Sequence, residues 1–253
     1  DGNPVTPPPS INKDGDVTTV QYTPPKFFAA KSTHTVEVSY RDDKGANFST
    51  SWSFTVQDYV TLPPSFAVAP GDVDTSSSGF NIRVVQAPFG VANSVVVREK
   101  QVDGVDANGQ PFENVATPDA DGDFIYAEPT TLNYTDKGPR TQGFFADADG
   151  ADRLPPGIPG TAGGDDNFVD EIITYLDLQP GLYQFGVYTD DGHKLSSGPN
   201  PRDKFSLPIG IADGGRANER VYRFVVEQAG IYPFRLMWYE GGGDATLEWY
   251  SVD

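Results

Sequence analysis

Cysteine is absent from the 253 residues, methionine occurs once and histidine twice. Without cysteine there is no disulfide, no thiolate nucleophile and no cysteine-ligated zinc. The two histidines, His34 and His193, stand far apart, and no HExxH, GxSxG or phosphate-binding glycine motif occurs. No apolar run of about 18 residues is present, so nothing reads as a membrane-spanning helix. No signal peptide is visible, and the opening Asp1-Gly2-Asn3-Pro4 reads as a cut inside a longer protein. Basic residues are scarce: Lys and Arg number 18 against 36 Asp and Glu, a net charge of -18. Residues 1–60 hold seven acids and five bases, so -16 of that charge falls on residues 61–253. Such a surface repels nucleic acid and anionic lipid and attracts divalent cations. Most of these acids need no purpose beyond solubility.

What the chain has in quantity is Val, Thr, Tyr and Phe in short runs, separated by Gly, Pro, Asn and Asp. That pattern is all-β, sandwich or barrel. Period two places Val36, Val38 and Tyr40 on one face and Trp52, Phe54 and Val56 on another, two half-buried strands joined by a turn at Asp42–Gly45. Val17–Tyr22 reads as a further strand after the Asp14-Gly15-Asp16 turn. These few strands fall short of the seven or so of an immunoglobulin-type sandwich. Residues 1–60 are therefore expected to be part of such a domain, with edges open to strand addition from another chain. Residues 61–78, with Pro63-Pro64, Pro70-Gly71 and Ser76–Ser78, read as a linker, and residues 79–253 as the second domain.

In that second domain FNIRVVQA and SVVVREKQV both read as strands, followed by a loop-rich region from Asp103 to Gly164. FVDEIITYLDL fits a helical face through Val169, Ile172, Ile173 and Leu176, but its β-branched pair and the Pro180-Gly181 stop favour a strand. Tyr232, Phe234, Leu236 and Trp238 share one face, and Leu247 and Trp249 another, which marks them as core. Pro233 lacks an N–H and is expected to start its strand or lie at an edge.

Two strand ends carry the candidate chemistry. Asp190 and Asp191 end one alternating run, and Gly241–Gly243 with Asp244 end a later one. Together they would form an oxygen-rich site for a hard cation such as Ca2+. Asp190-Asp191-Gly192 also fits an ordinary hairpin turn with a spare acid. Glycine lets backbone carbonyls turn toward an ion. Tyr239, opposite in phase to the core Trp238, and Tyr188 stand nearby as sugar-stacking candidates. Three further acidic groups are possible structural calcium loops: Asp119, Asp121 and Asp123; Asp147, Asp149 and Asp152; and Asp165-Asp166-Asn167. The first is not an EF-hand, because Phe124 and Thr130 stand where Gly and Glu are required. The carboxylate pairs sit in turns rather than an aromatic-lined cleft, so no catalytic residues are assigned and an enzyme is not expected.

Residues 79–253 resemble the protective-antigen-type β-sandwich family found in an anthrax toxin, yeast flocculins and bacterial adhesins. GLYQFGV, then Thr189-Asp190-Asp191-Gly192, then VVEQAGIYPFRLMWYEGGG and a closing LEW strand carry it. The likeness is best over residues 170–250. The resemblance implies that Asp190 and Asp191 are joined by a cis peptide and chelate Ca2+. Gly242, Gly243 and Asp244 of a loop starting at Glu240 would complete the metal site. Asp190, Asp191, Glu240, Tyr239 and Tyr188 would face a glycan. His193-Lys194 departs from the family pattern, and Lys194 is expected to bring positive charge close to the acids. The chain is thus expected to be an extracellular, calcium-dependent carbohydrate-binding adhesion module of a large bacterial surface protein. The alternative is a spacer or fibre subunit with calcium-stiffened loops, self-associating through its N-terminal domain. Neither reading involves nucleic acid or membrane insertion.

Overall fold

A computed structural model of the chain describes residues 3–136, 143, 145, 152–216 and 218–252. The chain divides into two units, Asp1–Tyr59 and Val60–Asp253. In the first, strands β1 (Ser10–Asp14) and β2 (Val17–Gln21) form one antiparallel hairpin, and β3 (Thr33–Arg41) and β4 (Asn47–Thr55) another. The Asp42 carboxylate closes the β3–β4 turn by accepting the amides of Lys44 (3.0 Å) and Ala46 (2.7 Å). Among the described residues the two ladders do not join. The alternation is the one read from sequence, but the burial is lower. Val36 and Val38 are half-buried, while Tyr40 is 55% and Trp52 51% exposed. A two-stranded ladder has no second sheet to cover its face.

The second unit is an all-β sandwich. Its strands are β5 (Val60–Leu62), β6 (Phe80–Gln86), β7 (Ile125–Glu128), β8 (Asn133–Thr135), β9 (Phe168–Leu178), β10 (Gly181–Asp190), β11 (Gly192–Ser197), β12 (Leu207–Ala212), β13 (Asn218–Val226), β14 (Gly230–Glu240) and β15 (Thr246–Ser251). One sheet runs β5-β13-β10-β15-β8 and the other β12-β11-β14-β9-β6-β7. The inward residues of each strand alternate as period two requires. Phe185 and Phe224 of the first sheet meet Phe234 of the second, with ring centroids 5.6 and 5.3 Å apart. Trp238, Leu236, Ile172 and Phe168 are fully buried in the same core. FVDEIITYLDL is a strand, β9, pairing along its length with β14 from Gly230–Leu178 to Glu240–Phe168.

Three expectations change. SVVVREKQV is not a strand: helix α1 (Val95–Val102) follows Ser94 and lies on the outer face of the six-stranded sheet. Its first amide is capped from a distant loop, Val95 N–H donating to Asp213 Oδ1 at 2.7 Å. The three valines suggest β structure, yet propensity is a weak prior when tertiary partners decide. Those partners are buried charges, Glu99 of α1 meeting Arg235 of β14 through two hydrogen bonds of 2.8 and 2.7 Å. Secondly, the stretch read as linker opens with sheet structure: Val60–Leu62 pairs in parallel with Phe224–Val226, and Leu62 is fully buried. Thirdly, Pro233 lies inside β14, which starts at Gly230. It falls just beyond the last β11 pair, Ser197–Phe234, where among the described residues β14 has a strand neighbour on one side only. No described helix is long and apolar enough to cross a membrane.

Candidate metal and ligand site

The chain crosses from one sheet to the other in a single step, because Asp190 ends β10 and Gly192 begins β11. The peptide joining Asp190 to Asp191 is cis. The turn is pinned on all sides. Trp238 Nε1–H donates to Asp190 O at 3.0 Å, and Asp191 N–H donates to Tyr239 O at 3.2 Å. Thr189 Oγ1 donates to Asp191 O at 3.0 Å and also lies 2.8 Å from His193 Nδ1, while Tyr222 OH lies 2.8 Å from His193 Nε2. With the Thr189 hydroxyl already donating, the chain of bonds requires a proton on Nδ1 and leaves Nε2 to accept from Tyr222. Burial, with Arg220 adding to it, pushes the imidazole down to about 3, so His193 stays neutral and braces the turn.

Glu240 ends β14 at the same end of the sandwich. Asp190, Asp191 and Glu240 each offer a carboxylate oxygen, and these atoms lie within 4.8 Å of one another. Glu240 is fully buried. Its Oε1 accepts the Gly242 amide at 2.5 Å, while its Oε2 is buried with no partner among the described residues. Burial first, then Asp191 and Asp190, push the Glu240 carboxyl up to about 8. Burial also raises Asp190, with Asp191, Asp244 and Asp136 adding to it against the opposing Arg216. Arg216, mostly exposed, holds its Nε 3.6 Å from Asp190 Oδ2. An all-oxygen donor set of three acids, opposed only in part by Arg216 and the buried Arg98, suits a hard divalent cation.

Of the residues expected here, Asp190, Asp191 and Glu240 come together, and Asp244 is close enough to act on Asp190. The glycine loop is tied down through Gly243, whose amide donates to Asp166 Oδ1 at 3.2 Å, so part of the Asp165-Asp166-Asn167 group serves this site. Gly242 also lies beside Asp166, a Cβ on it standing 3.6 Å from the Asp166 carboxyl carbon. Tyr239 is not a sugar platform. It is fully buried beneath α1, with Arg98 over its ring at 5.2 Å and its hydroxyl near Asp213 and Gly214. Period two put it on the right face, but that face is covered. Tyr188 is half-buried on β10, in register with Glu219 and Glu248. Lys194 does not approach the acids. It points under α1, 2.8 Å from Glu99 Oε1. Asp119 Oδ1 accepts the amides of Asp121 (2.9 Å) and Asp123 (3.0 Å), closing its own turn. Asp147 and Asp149 lie outside the described residues, and Asp152 is buried.

Sequence reasoning missed Asn93, Arg98 and Asp136. Asn93 Nδ2–H donates to Asp191 Oδ2 at 2.5 Å across 98 residues of chain. Asp136 follows β8 and acts on both Asp190 and Glu240. Only the strand order brings them there, so no local signal was available.

The chain matches no protein-family profile, and no curated protein matches it. Several solved structures are similar to it. The PA14 domain of the MpAFP antifreeze protein shares 14% identity over 70% of this chain and 82% of that one, with a TM-score of 0.44. The Epithelial Adhesin 6 A domain from Candida glabrata, in complex with Galb1-3GlcNAc, shares 16% over 74% and 85%, with a TM-score of 0.45. The Epithelial Adhesin 9 A domain from the same organism, in complex with the same disaccharide, shares 15% over 78% and 91%, with a TM-score of 0.43.

Proposed function

We propose that the second unit is a calcium-dependent carbohydrate-binding module of an extracellular bacterial adhesion protein. The observation that carries this reading is Glu240 Oε2, buried, without a partner among the described residues, and gathered with Asp190 and Asp191 inside 4.8 Å. These three carboxylates would hold the ion, with Asp244 and the carbonyls of Gly242 and Gly243 as further oxygen donors. The ion would offer vicinal sugar hydroxyls two hard-cation coordination positions. The ligand class comes from the resemblance in the Thr189–Gly192 and Glu240–Asp244 segments. The chain's own residues supply binding and orientation: the braced Thr189–His193 turn, the Asp166-tethered glycine loop, and the half-buried Tyr188 toward the glycan, while Glu240, expected to face the sugar, is fully buried and serves the ion. We read the chain as a binding module and not an enzyme, and the first unit as part of an immunoglobulin-like domain.

Calcium titration by calorimetry on the wild type and on Asp190→Ala tests this. The expected result is one site in the wild type and its loss in the variant, followed by calcium-dependent hits on a glycan array. Calcium binding unchanged by Asp190→Ala would move the ion elsewhere and overturn the reading. A second reading, a spacer or fibre subunit, is favoured by the exposed Tyr40, Phe48 and Trp52 of the first unit. It predicts calcium binding without glycan affinity, and light scattering that grows with protein concentration.

A further inference from the structure

Asp191 differs from the other two acids in how it is held. Its Oδ2 accepts two hydrogen bonds, from Asn93 Nδ2 at 2.5 Å and from the Gly241 amide at 2.9 Å. Its Oδ1 faces Gly215, at 3.7 Å from where a Cβ on that residue would stand. Asn93 is itself fixed. Its Oδ1 accepts Arg98 Nη2 at 2.8 Å, and this decides which end of the amide meets the carboxylate. An amide turned the other way would set oxygen against oxygen at Asp191 and N–H against N–H at Arg98.

Arg98 has no freedom to let go. It is fully buried on α1, donates to Val91 O at 3.0 Å and Gln101 Oε1 at 2.8 Å, and lies over the Tyr239 ring. Burial lowers its guanidinium to about 10, so it stays charged at neutral pH. Gly241 completes the arrangement. A Cβ there would stand 2.3 Å from Asn93 Oδ1, so only glycine leaves room for the amide. The glycine loop thus has a steric requirement at its first position, beyond any freedom to turn carbonyls toward an ion.

We propose that Asn93, locked by Arg98 of helix α1, is a positioning residue that holds Asp191 in the rotamer presenting Oδ1 to the cation. The inference rests on the cation reading above. Fixing a ligand carboxylate before the ion arrives removes an ordering cost from binding, and loss of such a supporting hydrogen bond costs about 10- to 100-fold in metal affinity. Asn93 is not assigned as a ligand: its Nδ2 donates to Asp191, and its Oδ1 faces the Arg98 guanidinium, whose charge opposes a second cation there.

The test compares wild type, Asn93→Leu and Gly241→Ala. The second variant displaces the Asn93 amide by its methyl group while Asn93 stays in place, so it covers a failure of Asn93→Leu to fold. Calcium is titrated by calorimetry, melting is followed in chelator, and terbium luminescence lifetimes in light and heavy water count the waters on the bound ion. Both variants are expected to bind calcium about 10- to 100-fold more weakly. Their chelator melting temperatures should fall by roughly 2–12 °C, because Arg98 loses a buried acceptor, and, as the distinguishing readout, their bound terbium should carry about one more water. A purely structural role would lower the melting temperature without changing the water count. Wild-type binding with unchanged affinity and water count in both variants overturns this inference alone. A wild type that binds neither ion overturns the cation reading and this inference with it.

Discussion

Asp170 shows what one residue's surroundings do to its chemistry. It sits on the core face of β9 between Phe168 and Ile172, fully buried, with neither carboxylate oxygen partnered among the described residues. Burial alone drives its carboxyl well above the usual range. The sign follows from linkage. The folded state binds this proton more tightly than the unfolded chain, whose value is about 4. The stabilisation is therefore fully present below about pH 4 and is lost as pH rises through the folded value. Asp170→Asn removes that titration. Urea unfolding in chelator between pH 4 and 8 should show the variant gaining on wild type as pH rises. Parallel stability curves would contradict the burial argument. Nothing in FVDEIITYLDL announced this residue: period two placed Asp170 on the Phe168–Ile172 face, but an acid there reads as an exception until the second sheet is seen. Tyr239 failed in the opposite sense. Its phase relative to Trp238 was legible, and its cover was not.

That cover is an element-scale matter. Helix α1 opens on three β-branched valines that weaken its propensity, and it docks by packing Val95 and Val102 on Val85, Val169, Met237 and Tyr239 and through charge. Arg235 of β14 is 1% exposed and bridges Glu99 of the helix to Glu171 of β9, which lies 2.8 Å from Arg235 Nε. Burial would raise the Glu99 carboxyl, but Arg235 and Lys194 hold it below the usual range. Removing one member of a buried pair strands the other charges, at a cost of about 3–5 kcal/mol. Arg235→Ala should therefore cost about that much in urea unfolding at neutral pH, far more than an exposed Arg→Ala. A loss below about 1 kcal/mol would mean that water reaches these groups. The strands were legible because each carries its own period. The helix was not, since Glu99 finds Arg235 across 136 residues. Lys194, expected beside the acidic turn, belongs instead to the helix network, 2.8 Å from Glu99 Oε1.

At the scale of the molecule, the acidic turn and the glycine loop were readable as a pair because each ends a strongly alternating strand. Their meeting depended on β10 and β14 ending on the same side, which spacing alone does not give. The charge asymmetry was also readable: nearly all the net negative charge falls on residues 61–253, the part of the chain that carries the three carboxylates, and a field of that sign attracts cations. The domain edge was less legible. Pro63-Pro64 and Pro70-Gly71 are breakers, and they drew the boundary to residue 79. Yet the three residues before them form β5, which extends the five-stranded sheet beyond β13. Phe66 and Ala67 pack against the core, and Val68 N–H donates to Ile231 O at 2.9 Å. A chain of residues 60–253 should therefore melt with the same transition as this unit in the full chain and bind calcium within about twofold of it, which calorimetry would show. A chain of residues 79–253 loses β5 and uncovers Phe224 and Val226. Losing the burial of Leu62 and its neighbours costs about 3 kcal/mol or more, a fall of roughly 6–12 °C for a unit of this size. Equal melting of the two truncations in chelator would show that residues 60–78 are a linker after all. A lower transition for residues 79–253 alone would make them part of the sandwich that holds the site.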